Sequence, residues 1–302
     1  MEYNCVDKGT GRCPCALMKA GQCYICTMSR TGRCACGHRW QGVCPYNEFL
    51  QNGGRPAGTL KEFEAPVLKT VDYSEQLKVV RLQVPAGFAQ KCRAAGSYIM
   101  VNSLEYKIPL SVLRSTVFTG ESSSEGYIEL AIQPAGPKTL ELFRPGSAYW
   151  IISGPFAAGL VNVEKLDYAR PVLVVGKGTA LAPYTNISSR LEGRVFVDTD
   201  KLTDGFVEEY LVGKVYKKVS LQTDMDFLLK EIDDASPATQ LMFLASPYYT
   251  EKIFEMRPEL KSDIIVPNHA NICCGVGICG ACSYTDKDGV TVRRCKITER
   301  LI

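Results

Sequence analysis

The chain has 302 residues, a formal net charge of +3 and 46% hydrophobic residues. That is enough for two ordinary domains with real cores plus a small module, and too little charge to point to nucleic acid. Its start, Met1-Glu2-Tyr3-Asn4-Cys5, lacks the basic region and apolar run of a signal peptide, and no apolar run reaches membrane-span length. A cytoplasmic, reducing setting with no membrane partner is expected, where fourteen cysteines point to metal rather than disulfides.

Eight of those cysteines fall in the first 44 residues: Cys5, Cys13, Cys15, Cys23, Cys26, Cys34, Cys36 and Cys44. The second four repeat the first four at an offset of 21, and the residues around them repeat too. Thr10-Gly11-Arg12-Cys13-Pro14-Cys15 matches Thr31-Gly32-Arg33-Cys34-Ala35-Cys36. Each repeat is too small and too poor in aliphatic residues to fold on apolar burial. Metal–thiolate bonds supply folding free energy in such modules. Residues 1–58 are therefore expected to form a duplicated metal-binding module with two four-cysteine sites, iron–sulfur or zinc. Spacing does not say which cysteines share a metal, and Cys23-x2-Cys26 straddles the repeat boundary. His38 is a neighbour of Cys36, with thiolates already sufficient as ligands. A surplus of Lys and Arg gives the module a basic surface, a solvated face or a docking face for an acidic partner. The Gly-, Pro- and Asn-rich stretch 51–58 reads as a linker.

Short runs rich in β-branched and aromatic residues follow at 67–71, 77–84, 98–101 and 127–132. Six or so strands in under a hundred residues predict an antiparallel β-barrel over residues 59–165, with a short helix at 138–143. At Pro171 the pattern changes. Val172-Leu173-Val174-Val175 is an unbroken apolar run, the signature of a strand buried on both faces. Gly176-Lys177-Gly178-Thr179-Ala180 and a predicted helix to residue 190 come next, then strands at 194–197 and 241–245 and a helix from Tyr249. Alternating strands and helices predict a doubly wound α/β domain over 166–262. A Gly-rich strand-to-helix turn suits a phosphate, although a tight turn alone would look the same.

The final segment, residues 263–302, reads Cys273-Cys274-Gly275-Val276-Gly277-Ile278-Cys279-Gly280-Ala281-Cys282, with Cys295 beyond. From Cys274 the spacing is C-x4-C-x2-C-x12-C. Four thiolates at this spacing are the plant-type ligand set of a 2Fe–2S cluster: Cys274, Cys279, Cys282 and Cys295. The intervening glycines allow the torsions and close approach that a loop around sulfide needs. Cys273 is a spare thiol or an alternative to Cys274.

Barrel, α/β domain and cysteine segment in this order resemble the electron-transfer subunit of NAD-dependent dihydroorotate dehydrogenase, within the ferredoxin–NADP reductase superfamily. The resemblance runs from about residue 65 to 302 and leaves out the N-terminal repeats. It implies FAD in the barrel, NAD(P) on the α/β domain, a C-terminal 2Fe–2S cluster, and a partner flavoprotein or other oxidoreductase subunit. Ile108-Pro109-Leu110-Ser111 stands where the family has Arg-Pro-x-Ser, with Ser111 near the reactive edge of the flavin. Lys138-Thr139 stands at the FAD phosphates, and Ala131-Ile132-Gln133 at the preceding flavin strand. Gly154-Pro155-Phe156 resembles the Gly-Pro-Leu turn. Gly176, Gly178, Thr179 and Pro183 fall in the dinucleotide turn. Ile108 replaces the motif's arginine, leaving Lys107, Arg114 and Lys138 as nearby cations. Ala180 replaces the last glycine of the dinucleotide turn, so NAD(P) binding is expected to be weak. The family's Cys-Gly-Pro appears as Ala245-Ser246-Pro247.

The expected fold class is α+β multidomain: a small metal-stabilised Cys-rich module, an antiparallel β-barrel, a doubly wound α/β domain and a C-terminal 2Fe–2S segment. The expected function is a pyridine-nucleotide-linked flavin and iron–sulfur oxidoreductase subunit. The alternative is a non-catalytic electron carrier or scaffold with decayed nucleotide sites, docking through its metal-bound N-terminal module.

Overall fold

The computed structural model describes residues 3–36, 43–57, 61–103, 106–119, 124–144 and 146–299; His38 lies outside them. The chain forms two compact units. One joins Met1–Glu62 to Ala270–Ile302, and the other is Phe63–His269.

The first unit has little regular structure, as its small glycine-rich repeats require. Its helices are α1 (Ala16–Lys19), α2 (Thr27–Thr31) and α3 (Pro45–Gln51), each starting directly after a cysteine: Cys15, Cys26 and Cys44. Left-handed Gly32, with φ 69°, stops α2. A small core forms from Leu17, Met18, Cys23 and Cys26, with Tyr46 and Phe49 packed on it. Stretch 52–57, read as a linker, is held down: Asn52 Nδ2 donates to the Arg55 carbonyl (2.9 Å) and the Ala57 amide to the Pro14 carbonyl (3.0 Å). The C-terminal segment adds a hairpin of Ser283–Thr285 and Thr291–Arg293. Tyr3, Val292 and Ile297 make a second core with Tyr24 against it.

The second unit opens with a seven-stranded sheet. In chain order its strands are β1 (Glu62–Ser74), β2 (Leu77–Pro85), β3 (Tyr98–Asn102), β4 (Lys107–Ser111), β5 (Arg114–Val117), β6 (Glu125–Ile132) and β7 (Tyr149–Phe156). Their order across the sheet is β4-β3-β7-β1-β2-β6-β5. The edge strands β4 and β5 are joined by only Val112 and Leu113. So short a link brings the two edges together, and the sheet curls into a barrel. Leu82, Ile99, Val101, Ile128, Leu130 and Ile152 fill it. Helix α4 (Ala86–Cys92) follows β2, and α5 (Pro137–Phe143) follows β6 where the sequence predicts a helix.

After β8 (Leu160–Val161) come four parallel strands: β9 (Val172–Lys177), β10 (Gly193–Asp198), β11 (Val215–Val219) and β12 (Gln240–Leu244). Their order is β11-β10-β9-β12. Central β9 is buried from Val172 to Gly176, which explains its unbroken apolar run. The predicted helix to residue 190 is broken into a 3-10 turn at Gly178–Leu181, α6 (Ala182–Thr185) and a second 3-10 turn at Ser188–Arg190. Thr185 Oγ1 donates to the Ala182 carbonyl (2.9 Å) and Ser188 Oγ to that of Thr185 (3.1 Å), local bonds that weaken helix continuation. Helices α7 (Asp204–Tyr210), α8 (Met225–Asp233) and α9 (Pro247–Met256) complete the layer. Strand β13 (Val266–Pro267) returns to β8. Barrel and α/β layers share one core, from Leu77, Val79 and Ala131 to Tyr184, Phe206 and Leu244. Buried Glu129 binds Arg81 (2.6 Å) and accepts from the Tyr210 hydroxyl (3.1 Å) within the same unit.

Candidate functional site

The C-terminal loop turns on three left-handed glycines, Gly275 (φ 67°), Gly277 (82°) and Gly280 (75°). Side chains other than glycine are strained there. A Cβ on Gly277 would also stand 3.1 Å from Leu17 Cγ. These torsions turn successive backbone amides inward, the arrangement of an anion nest. Burial works against ionising the Cys274 thiol, but the amides of Cys279, Val276 and Ile278 and the Cys279 thiol donate to it and hold it below the ordinary thiol range. Burial raises Cys279, against an opposing bond from the Ala281 amide. The Cys295 thiol donates to Cys282, lowering Cys282 and raising Cys295. The four thiols thus stand as two pairs, Cys274 with Cys279 and Cys282 with Cys295, while Cys273 is exposed. Two thiolates per iron and sulfur-directed amides are what a 2Fe–2S cluster takes, so this donor set fits one. Among the described residues, no three Cys, His, Asp or Glu side chains converge on one point at metal-bonding geometry.

In the repeats, burial first and then the charges of Cys15, Cys23 and Cys5 push Cys13 up to about 12. Burial likewise raises Cys36, followed by Cys34, Cys26 and Cys44. The neighbourhoods follow the duplication, the first four cysteines around Cys13 and the last four around Cys36. Cys23 and Cys26 touch across the boundary. Raised thiols hold their protons until a metal displaces them, so loading should release protons.

In the barrel, Ile108 and Leu110 point into the core, Ile108 only 2% exposed. Of the motif on β4, Pro109 and Ser111 occupy the other face, half-buried. Thr139 Oγ1 accepts from the amides of Ala135 (3.0 Å) and Gly136 (3.2 Å), so it caps α5. Lys138 Nζ lies 5.8 Å from the Tyr106 ring centre. Arg114 faces Glu129 (3.5 Å) and stacks on Tyr210, so its charge is committed away from a flavin phosphate. Ala131 and Ile132 are core residues. Gly154 (φ 127°) lies within β7 just before Pro155, where the pairing with β3 shifts register, so the expected turn is a strand irregularity.

At the dinucleotide turn, the sheet order reverses between β9 and β12, the place where open α/β sheets take ligands. Gly176 has no room for a side chain, since a Cβ would meet Leu181 Cδ1 at 2.3 Å. Gly178 is left-handed (φ 58°) and lies under the Gln133 carboxamide. The Thr179 amide (3.4 Å) and hydroxyl (3.2 Å) both donate to Gln133 Oε1, while Gln133 Nε2 donates to the Lys201 carbonyl (3.1 Å). Gln133, which the resemblance puts at the flavin strand, therefore closes the nucleotide turn. Lys177 pairs with Asp198 (2.8 Å) and Asp200 (3.1 Å). Pro183 is buried in α6 and Ala245 behind β12.

No protein-family model matches the chain, and no curated protein matches its sequence. Solved structures do. One is the NADH-dependent reduced ferredoxin–NADP oxidoreductase studied for flavin-based electron bifurcation, at 18% identity and TM-score 0.59 over 76% of this chain and 85% of that one. Phthalate dioxygenase reductase, described as a modular structure for electron transfer from pyridine nucleotides to [2Fe–2S], matches at 12% and 0.52 over 80% and 96%. The ferredoxin reductase of carbazole 1,9a-dioxygenase matches at 18% and 0.50 over 70% and 68%. The fold is ferredoxin–NADP reductase-like.

Sequence reasoning missed the Lys177–Asp198–Asp200 network. Its signal was the acidic pair about twenty residues beyond the glycine turn. It also missed Lys296, whose buried ammonium meets Asp7 at 2.6 Å and which carries no motif.

Proposed function

We propose that this chain is an iron–sulfur flavoprotein that moves electrons between a pyridine nucleotide, FAD, a 2Fe–2S cluster and a partner oxidoreductase in the cytoplasm. The observation that carries the reading is the amide-lined loop that pairs Cys274 with Cys279 and Cys282 with Cys295, in a chain with a reductase fold. A bound flavin would take two electrons as hydride and release them singly, to a centre that accepts one at a time. Pro109 and Ser111 supply the open face of β4, and Lys138 at the start of α5 is an exposed cation that could meet a phosphate. The amides of the 176–179 turn would take a dinucleotide pyrophosphate once Gln133 yields them.

The second reading, an electron carrier with decayed nucleotide sites, draws on Gln133 in the turn and on Ile108 in the barrel core. One experiment separates the two. Anaerobically purified protein should contain 2Fe–2S iron and retain stoichiometric FAD, and NADH or NADPH should bleach the flavin band. A resonance signal of a reduced 2Fe–2S cluster without flavin retention favours the carrier. If Cys279→Ser leaves iron content and that signal unchanged, the ligand assignment is wrong.

A further inference from the structure

Charge is divided unevenly between the two units. The one built from both ends of the chain holds 13 Lys and Arg against 7 Asp and Glu, whereas Phe63–His269 holds 22 against 25. Residues 8–47 carry six Lys and Arg and no Asp or Glu. Two of the first unit's acids are also turned inward. Asp7 pairs with buried Lys296, and Asp286 accepts from the Tyr3 hydroxyl (2.7 Å), at 4% and 6% exposure. Its cations point outward: Lys19, Arg30 and Arg33 are exposed. The cysteine loop is set into this positive surface. Gly277 rests on Leu17 of α1, the helix that ends on Lys19. Ser29 Oγ, next to Arg30 on α2, donates to the Met18 carbonyl of α1 (3.3 Å). From the hairpin, Arg293 donates to the Gly277 carbonyl (3.2 Å) and to Gln22 (2.8 Å). The loop is thus held at its base, and the next residue, Ile278, stands 59% exposed beside exposed Cys279. An apolar tip within a charged rim is the anatomy of an interface.

We propose that the tip of the cysteine loop, Ile278 set among Lys19, Arg30 and Arg293, is the docking face for an acidic protein that carries single electrons. The charge imbalance selects the occupant: opposite charge steers encounter, and like charge rejects a basic partner. The other unit, where acids outnumber cations, lacks that pull. Exposed rim charges give speed and selectivity rather than tight binding, and the apolar contact is one side chain. The complex is therefore weak and short-lived, as an exchangeable carrier needs. Docked here, the partner lies against Cys279, and one electron crosses per encounter. The centre that gives it is oxidised and the one that takes it is reduced, with no bond made or broken. What crosses the face rests on the 2Fe–2S reading above; what binds to the face does not.

The test uses full-length protein purified anaerobically and, as probe, flavodoxin, an acidic single-electron carrier. Binding should be measurable by calorimetry at an ionic strength of about 0.01 M. It should fall steeply by about 0.1 M, where the screening length drops from about 30 to about 10 Å. Lys19→Glu and Ile278→Ser should each weaken it about fivefold, the worth of roughly one exposed contact, with iron content unchanged. Lys69→Glu, the same charge reversal on exposed β1 of the other unit, should leave it unchanged. Wild-type affinity in both Lys19→Glu and Ile278→Ser overturns the proposal, and so does binding indifferent to salt or absent at low salt. Tighter binding of duplex DNA or of anionic phospholipid vesicles, weakened by the same two variants, overturns it as well. Lys19→Glu decides the matter even where Ile278→Ser loses iron. If the protein shows no 2Fe–2S signal, the functional reading falls, while flavodoxin binding still decides the docking face.

Discussion

Lys296 and Asp7 are exposed by only 2% and 4%, an ion pair that stability alone does not require. Burial pulls the Lys296 ammonium down, yet the charge and hydrogen bond of Asp7 outweigh it and raise its pKa above the ordinary lysine value. A base raised on folding adds stability below its unfolded pKa and loses it as pH climbs through the folded one. On the alkaline side the pair should therefore hold through neutral pH and weaken above the free lysine value of 10.5. Lys296→Met leaves a buried carboxylate with the partly exposed Arg12 at 3.9 Å. We expect a loss of about 3–5 kcal/mol, with most of it restored by Asp7→Asn in the same chain. Thermal unfolding of the metal-loaded protein measures both, and a single variant as stable as wild type refutes the pairing.

Gln133 follows directly on the end of β6, but its consequence is for the turn after β9. Its carboxamide occupies the Thr179 amide and hydroxyl that an incoming phosphate would use. Gln133→Ala should therefore tighten NADH binding by up to about tenfold, the worth of roughly one hydrogen bond. Anaerobic equilibrium titration measures it; unchanged or weaker binding shows that Gln133 does not hold the turn closed against a nucleotide. These elements were legible in unequal degree. Strands β2, β3 and β9 were readable because burial on a face writes apolar runs into the sequence. Strand β1 runs thirteen residues, well over twice the five at 67–71 that its apolar run suggested, because much of it is exposed and polar. The helix after β9 was over-read because Thr185 and Ser188 turn their hydroxyls onto the backbone. Ile108 showed that an arginine was missing, but only the register of β4 shows its side chain in the core.

Both termini of the chain build one unit, which no motif announces. The cysteine spacing named two sets of thiols; their packing depends on Tyr3, Tyr24, Asp7 and Lys296, ordinary residues without a pattern. On the metal-module reading, a chain ended at residue 269 should keep the Phe63–His269 unit folded and lose metal from the first repeat, where Val6, next to Cys5, donates to the Lys296 carbonyl. The second repeat, clustered about Cys36, should lose less. Metal content and circular dichroism of the shortened protein test this; full metal retention in the first repeat contradicts it.

The Tyr3–Asp286 bond joins positions 283 apart in the chain. Synthesis at about 5–20 residues per second separates their emergence from the ribosome by about 15–60 s. Through that interval the first repeat exists in the cell without Lys296 or the hairpin, its thiols open to whatever metal or oxidant is at hand. On the metal-module reading, loading of this earliest-made site depends on the last-made segment, and the supply of metal during translation becomes part of how the protein matures.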